Sequence, residues 1–293
     1  MGKGVAGALA GMDDQRHEII LLCRSAGLGA ATADELERTT GNKKISIALC
    51  DLSRLSDVRH AVHEIQSRHG YLDGLFINAG LGYAAGRVET EDGMDSHFQV
   101  NYLAQFMLTL NLLHLLENSG AGGRVIFNVT QGGKITWDDL QMKKAWGFER
   151  GIRQAMVAKR MFLALLHDLY RAKGDDRLSF IGFQIPKTVW SNQINIIPAS
   201  MRRMAGIMKF FGSFISIEEC GQIMAPLFTE DPEESRKKSG KFITRKKNRF
   251  VELKEDPAVH RRELQDKLWR ISLDLCYDNA TAQIAERLQR KGK

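Results

Sequence analysis

The sequence predicts an α/β fold: a doubly wound parallel sheet with helices on both faces. Two observations support this. Short apolar runs alternate along the chain with longer segments of helical periodicity. The apolar runs are also continuous rather than alternating, which is typical of parallel strands buried on both faces. At 293 residues the chain is long enough to bury one sizeable core.

Five strands are predicted first, each a short apolar run that ends in a turn. They lie at 18–25, 44–53, 72–80, 123–133 and 178–186. Four helices are predicted between them from amphipathic or apolar stretches, at 31–41, 58–70, 97–120 and 153–174. The stretch 97–120 is apolar throughout and is predicted to be one long buried helix.

No internal repeat, low-complexity tract or linker divides the chain, so the sequence predicts a single domain over 1–293. Within it we expect a substrate lid at about 188–217 and a basic C-terminal extension at about 235–293. The segment MRRMAGIMKFFGSFISI (201–217) is both basic and apolar. It is open to three interpretations: a lid over a substrate pocket, a core helix, or a peripheral contact with a lipid surface.

The composition indicates which kinds of partner and which cellular compartment to expect. The formal net charge is +7, but the basic residues are scattered, apart from the run at 235–250, which we interpret as a solvated loop or hairpin. We therefore expect no nucleic-acid partner. The four cysteines lie far apart, which argues against a zinc site and a disulfide framework and favours a reducing, cytoplasmic compartment. Neither a transmembrane stretch nor the apolar region of a signal peptide is expected.

The residues at the predicted strand ends resemble those of the short-chain dehydrogenase/reductase family. The matching motifs occur in family order: CRS (23–25), CDLS (50–53), INAG (77–80), VN (100–101), NVT (128–130) and a lysine-bearing helix. The spacing resembles the branch of retinol dehydrogenases and WW-domain oxidoreductases, over about 2–230. The resemblance implies a Rossmann-like fold and hydride transfer between a nicotinamide cofactor and a carbonyl or alcohol.

For cofactor binding, the resemblance implies three groups of residues. Gly2 and Gly4 correspond to the last part of a glycine-rich phosphate turn, whose first glycine and preceding strand are absent from the sequence. Arg24 implies NADP rather than NAD, because a guanidinium pairs well with the 2′-phosphate. The remaining cofactor positions are Asp51, Leu52, Asn78, Ala79, Gly80, Lys159 and Pro186.

For catalysis, the family uses a tyrosine as proton donor, with a lysine four residues later that lowers the tyrosine pKa. Lys159 matches that lysine and Asn101 matches the asparagine of the proton relay, but the tyrosine position holds Ala155. The serine position holds Gln131, with Thr130 beside it. A lysine also replaces the glycine that usually follows Pro186.

These residues leave two functions open, one as an enzyme and one as a binding protein. The first is a divergent NAD(P)-dependent oxidoreductase acting on a carbonyl or alcohol of an apolar small molecule, with Gln131, Thr130 or a water in proton transfer. The second is a catalytically inactive relative that keeps the fold to bind a ligand or a protein. The resemblance also implies a homodimer that pairs through the two long helices.

Overall fold

The computed structural model describes residues 1–12, 17–190 and 197–290. They form two compact units. The first comprises Met1–Leu49 and Ile185–Thr229, and the second comprises Cys50–Gln184 and Glu230–Lys293. The single domain over 1–293 stays a prediction.

The strands and helices alternate as predicted from the sequence. The strands are β1 (Ile19–Cys23), β2 (Ile45–Leu49), β3 (Gly74–Ile77), β4 (Gly123–Asn128), β5 (Leu178–Phe183), β6 (Thr188–Val189), β7 (Phe214–Ile215), β8 (Phe242–Lys246) and β9 (Arg249–Glu252). The helices are α1 (Gly2–Ala10), α2 (Ala26–Thr40), α3 (Leu55–Arg68), α4 (Ser96–Phe98), α5 (Ala104–Glu117), α6 (Phe148–Ala172), α7 (Ala199–Phe210), α8 (Ile217–Met224), α9 (Pro226–Thr229), α10 (Pro232–Lys238), α11 (Arg262–Cys276) and α12 (Asn279–Gln289). The five strands predicted from the sequence are confirmed as β1 to β5.

In the first unit, β1 and β2 form a parallel pair, and β6 and β7 form a second parallel pair. The helix α2 begins after Ser25, whose hydroxyl accepts a hydrogen bond from the Leu28 N–H at 3.3 Å. It ends at Gly41, which adopts the left-handed conformation at φ 74°. These caps fix the helix between the two strands.

Two glycines bring α1 and α8 into close contact. A Cβ atom on Gly4 would lie 1.9 Å from the Ile217 carbonyl oxygen, and one on Gly221 would lie 2.0 Å from the Gly4 oxygen. The expectation that Gly2 and Gly4 belong to a turn is wrong, because α1 already begins at Gly2. The observed contribution of Gly4 is close helix packing.

We therefore expect Gly221→Ala to destabilise the protein by about 1–3 kcal/mol, because the new methyl group meets backbone atoms that cannot rotate away. Gly206→Ala is the matched control, since nothing lies within 4 Å of its added Cβ and alanine favours a helix. Thermal unfolding of the two variants and the wild type measures the difference. Equal melting temperatures for Gly221→Ala and Gly206→Ala would contradict the close packing.

In the second unit, a five-stranded sheet has the order β3-β4-β5-β8-β9. The first four strands are parallel and β9 is antiparallel to β8. Aromatic side chains from the sheet and three helices form its core. Phe162 of α6 lies 4.7 Å from Phe106 of α5, 5.9 Å from Phe127 of β4 and 6.1 Å from Trp269 of α11 between ring centroids. All four side chains are buried, which makes this cluster the centre of the unit.

The predicted helix at 97–120 is buried, as expected, but it is not regular. A π-helical segment, Gln99–Leu103, lies between α4 and α5. Such a wide turn shifts the side chains that follow it, and these turns are frequent at functional sites. Asn101 is at the centre of the segment.

The helices α11 and α12 cover one face of α5 and α6. Tyr102 and Ser272 share a hydrogen bond of 2.7 Å, the Asn111 amide donates to the Thr281 hydroxyl at 2.7 Å, and Arg287 pairs with Glu117 at 3.0 Å. A homodimer that pairs through the two long helices stays a prediction. Such a dimer would need a surface of α5 or α6 that α11 and α12 do not cover.

The basic run at 235–250 forms the end of α10 and the β8–β9 hairpin, which confirms the hairpin interpretation. Several of its lysines form ion pairs: Lys237 with Glu234 at 2.7 Å, and Lys238 with Glu230 at 2.8 Å. Among the described residues, no helix has both the length and the apolar composition that crossing a membrane requires.

Candidate active site

The candidate catalytic residues lie in the second unit, at the carboxyl edge of its sheet. Asn78 follows β3, Thr130 follows β4, and Lys159 of α6 donates a hydrogen bond to the carbonyl of Asn128, the last residue of β4. Since β3 and β4 are parallel, both strands end at the same edge, which is where open α/β sheets bind ligands.

Asn101 holds the loop that follows β3. Its side-chain oxygen accepts from the Leu81 N–H at 2.6 Å, and its amide donates to the Leu81 carbonyl at 3.0 Å. A Cβ atom at position 80 would lie 2.8 Å from that oxygen, so only glycine lets the amide come so close. Gln105 adds a third contact, donating to the Ala79 carbonyl at 2.6 Å. The sequence-predicted residues Asn101, Ala79 and Gly80 therefore come together, and Gln105 is an addition.

Asn78 and Asp51 differ in the hydrogen bonds that their side-chain oxygens accept. The Asn78 side-chain oxygen is buried and finds no hydrogen-bond partner among the described residues. Asp51 accepts from both the N–H and the hydroxyl of Ser53, at 2.9 and 2.7 Å, and the next residue, Leu52, is buried. Asn78 thus has an open acceptor at the sheet edge, whereas Asp51 shapes the turn after β2.

Lys159 is almost completely buried, at 1% exposure. Its ammonium donates to the Asn128 carbonyl at 3.3 Å, and it forms no ion pair with a carboxylate among the described residues. Burial without a counter-charge disfavours the charged form and lowers the lysine pKa to about 7. Lys159 is therefore a group that can gain or lose a proton near neutral pH.

The tyrosine and serine positions of the family have no acidic hydroxyl here. Ala155 is fully buried one helical turn before Lys159. The Gln131 side-chain amide donates to the Lys254 carbonyl, and its backbone N–H donates to Gln184 at 3.0 Å. Thr130 beside it is exposed. Gln131 thus holds the loop after β4, and its catalytic role stays a prediction.

A buried ion pair fixes the same loop, and the sequence did not reveal it. The Arg160 guanidinium pairs with Glu255 and donates to the Gly132 carbonyl at 2.8 Å. Arg160 is 1% exposed. Burial lowers its pKa, and Glu255 opposes that shift. The only sequence signal was a charged residue next to Lys159 on a helix that is otherwise apolar there.

The other predicted cofactor residues belong to the first unit. Gly2 and Gly4 lie in α1, Arg24 is exposed directly after β1, and Pro186 is exposed before β6. Lys187, in the usual glycine position, donates to the Gly212 carbonyl at 2.8 Å. No contact tests the cofactor role of these residues, and it stays a prediction.

Comparison with known proteins agrees with this fold. The family model of short chain dehydrogenases matches residues 1–142. Mouse polyprenol dehydrogenase is 32% identical over 178 residues, which cover 59% of this chain and 49% of that protein. Human retinol dehydrogenase 12 is 24% identical over 283 residues, 94% of this chain and 82% of that protein. The chain spans about half the length of the polyprenol dehydrogenases it matches.

Among solved structures, L-sorbose reductase from Gluconobacter frateurii, complexed with NADPH and L-sorbose, superposes with a TM-score of 0.63 at 16% identity. The match covers 84% of this chain and 90% of that one, and it shows that the fold is shared. Sequence and fold point the same way: residues 1–142 match the short chain dehydrogenase model, and the similar proteins include polyprenol and retinol dehydrogenases and a WW domain-containing oxidoreductase of Drosophila melanogaster.

Proposed function

We propose that this chain is an NAD(P)-dependent oxidoreductase that interconverts a carbonyl and an alcohol on an apolar small molecule, with Lys159 carrying the proton. The observation that supports it is the buried ammonium of Lys159, with a pKa of about 7, at the carboxyl edge of the sheet. A general acid–base works best when its pKa is near the working pH. Relatives named for polyprenol and retinol support an apolar substrate.

The cofactor fits the residues present at the second unit's sheet edge. The open acceptor of Asn78 and the side-chain-free backbone at Gly80 suit a planar polar ligand placed close to the loop. Asp51, Leu52, Ala79 and Lys159 would complete the contacts from this unit. When bound, the nicotinamide supplies or accepts the hydride. The cofactor contacts expected of Gly2, Gly4, Arg24 and Pro186, which belong to the first unit, stay predictions, and Arg24 would favour NADP over NAD.

Side chains of this protein would then transfer the proton to and from the substrate oxygen. In reduction, Lys159 Nζ gives its proton to the substrate oxygen that becomes the hydroxyl, directly or through one water. In oxidation, the neutral amine takes that proton back. Asn101 and Gln105 keep the loop at 79–81 in place, and the Asn128 carbonyl orients Nζ between transfers.

The test is the pH dependence of NADPH-dependent reduction of a panel of apolar aldehydes and ketones. Because reduction needs the ammonium, kcat/KM should be level below about pH 7 and fall about tenfold per pH unit above it. Lys159→Arg keeps the charge but cannot release a proton at these pH values, so it should lose about 10²-fold or more. Lys43→Met, which changes an exposed lysine, should leave both rate and profile unchanged.

A Lys159→Arg variant with the wild-type rate and pH profile would contradict the assignment of the proton to Lys159. Calorimetry with NADPH and NADH supplies a readout that does not depend on turnover. Tighter binding of NADPH supports the cofactor proposal, and absence of binding by either nucleotide contradicts it.

A second candidate is the catalytically inactive relative, and one observation favours it. Ala155 and Lys159 are both closed to solvent, and the Gln131 amide is already engaged by Lys254. A chain that binds NADPH but reduces no carbonyl at any pH would have this function. The same assay and calorimetry therefore separate the two.

A further inference from the structure

The helix α7 exposes an unusual amount of apolar surface. Eleven large apolar side chains are exposed among the described residues, and six of them lie within 201–211: Met201, Met204, Ile207, Met208, Phe210 and Phe211. Phe210 and Phe211 are 87% and 77% exposed. The interpretation of 201–217 as a core helix is therefore wrong for α7, in which only Ala205 is buried.

Four of these six side chains lie on one side of the helix. Met201, Met204, Met208 and Phe211 follow each other at spacings of three, four and three residues, which places them along one face. At about 100° per residue, Lys209 and Arg202 lie on one flank of this face, beyond Ala205, and Arg203 lies on the other flank, beyond Ile207. All three basic residues are exposed. The face is apolar with a basic rim.

The charge around the helix has one sign only. Between 186 and 217 the sequence contains Lys187, Arg202, Arg203 and Lys209 and no aspartate or glutamate. Large apolar patches on a soluble surface mark contact sites. A basic rim without acidic residues complements a negatively charged partner, and phosphate headgroups above acyl chains offer both properties together.

The segments on either side of α7 are held by contacts within the first unit. These contacts hold the helix with its apolar face exposed. The flanking strands β6 and β7 pair through Thr188 with Phe214 and Val189 with Ile215. Lys209 lies over the Trp190 ring, with Nζ 4.1 Å from its centroid, and that ring packs edge-on against Phe214 at 5.2 Å. Of the intervening segment, 191–196 lies outside the described residues.

We propose that α7 and the turn that follows it are a docking surface for an anionic lipid bilayer, with the apolar face buried among the acyl chains and the basic rim at the headgroups. This goes beyond the oxidoreductase function and does not depend on it. Binding to a bilayer needs neither cofactor nor turnover.

The test is co-sedimentation of the full chain with vesicles of phosphatidylcholine alone and of phosphatidylcholine mixed with phosphatidylglycerol. The wild type should bind the anionic vesicles at least about tenfold more tightly than the neutral ones, and high salt should weaken that binding. Arg202→Glu/Arg203→Glu should weaken it about thirtyfold or more, since each basic residue near an anionic surface contributes about fivefold. Phe210→Ser/Phe211→Ser should weaken it to a similar degree.

Two matched variants make the same kinds of substitution at exposed positions outside α7. Lys43→Glu/Lys44→Glu makes the same charge change at exposed lysines in the same unit, and Leu28→Ser/Tyr277→Ser removes two apolar side chains exposed elsewhere. Both should bind vesicles like the wild type, and circular dichroism should show the same fold in all variants. Equal loss in the controls, or no sedimentation of the wild type with anionic vesicles, would overturn the proposal. A dimer in sedimentation velocity that Phe210→Ser abolishes would assign the surface to a second copy instead.

Discussion

Ala155→Tyr together with Gln131→Ser is expected to raise carbonyl reduction by about 10²-fold or more, because a positioned proton donor typically contributes 10²–10⁴-fold. The tyrosine is placed one helical turn before Lys159, on the same face of α6. The serine hydroxyl adds polarisation of the substrate oxygen, which acts on the same transition state. Initial rates with NADPH and the panel of apolar aldehydes and ketones measure the gain.

The same substitution carries a cost in stability. Ala155 is fully buried, so a ring there must displace its neighbours and is expected to lower the free energy of unfolding by about 1–3 kcal/mol. Ala155→Phe is the matched control because it adds the ring without the hydroxyl. It should lose the same stability and gain no activity. A rate increase in the phenylalanine variant equal to that of the tyrosine variant would show that the hydroxyl is not the source.

Arg160→Met is expected to lower the free energy of unfolding by about 3–5 kcal/mol, because it leaves the Glu255 carboxylate buried without its counter-charge. The variant also removes the hydrogen bond to the Gly132 carbonyl. Arg160→Met/Glu255→Met should recover much of the loss, since an apolar pair of similar volume needs no desolvation of charge. Chemical denaturation of the wild type, the two single variants and the double variant measures the coupling free energy between Arg160 and Glu255.

Arg262→Met is the control for an exposed pair. Arg262 and Asp266 are 2.8 Å apart, but their side chains are 52% and 38% exposed. The loss there should stay below about 1 kcal/mol. If Arg160→Met were no more costly than Arg262→Met, the ion pair would not be what holds the loop after β4.

The strands could be predicted from the sequence because burial on both faces makes each one a continuous apolar run. Both β4 and β5 are buried along nearly their whole length, and each has a continuous apolar run, VIF in β4 and FIGF in β5. The position of Asn78 at the sheet edge followed from the same alternation, because Asn78 comes directly after a strand. Asn101 and Lys159 were predicted as site residues from the resemblance to short-chain dehydrogenases.

Two features could not be predicted. The π-helical segment at Gln99–Leu103 differs from an α-helix by one extra residue in a turn, and apolar side chains on every side leave no periodicity from which to detect it. The contact of Arg160 with Glu255 joins residues 95 positions apart, and neither has a local signature. Both depend on tertiary packing, which no short window of sequence records.

The contacts that the π-helical segment and α5 make with the C-terminal helices also bear on how the protein is made. Tyr102 with Ser272, Asn111 with Thr281 and Glu117 with Arg287 are each separated by 170 residues, so the two stretches run alongside each other in constant register. A ribosome adds about 5–20 residues per second, so each of the three earlier residues waits roughly 10–30 s for its counterpart to be synthesised. During that interval one side of this apolar helix is uncovered, and it is there that a chaperone would find a binding site.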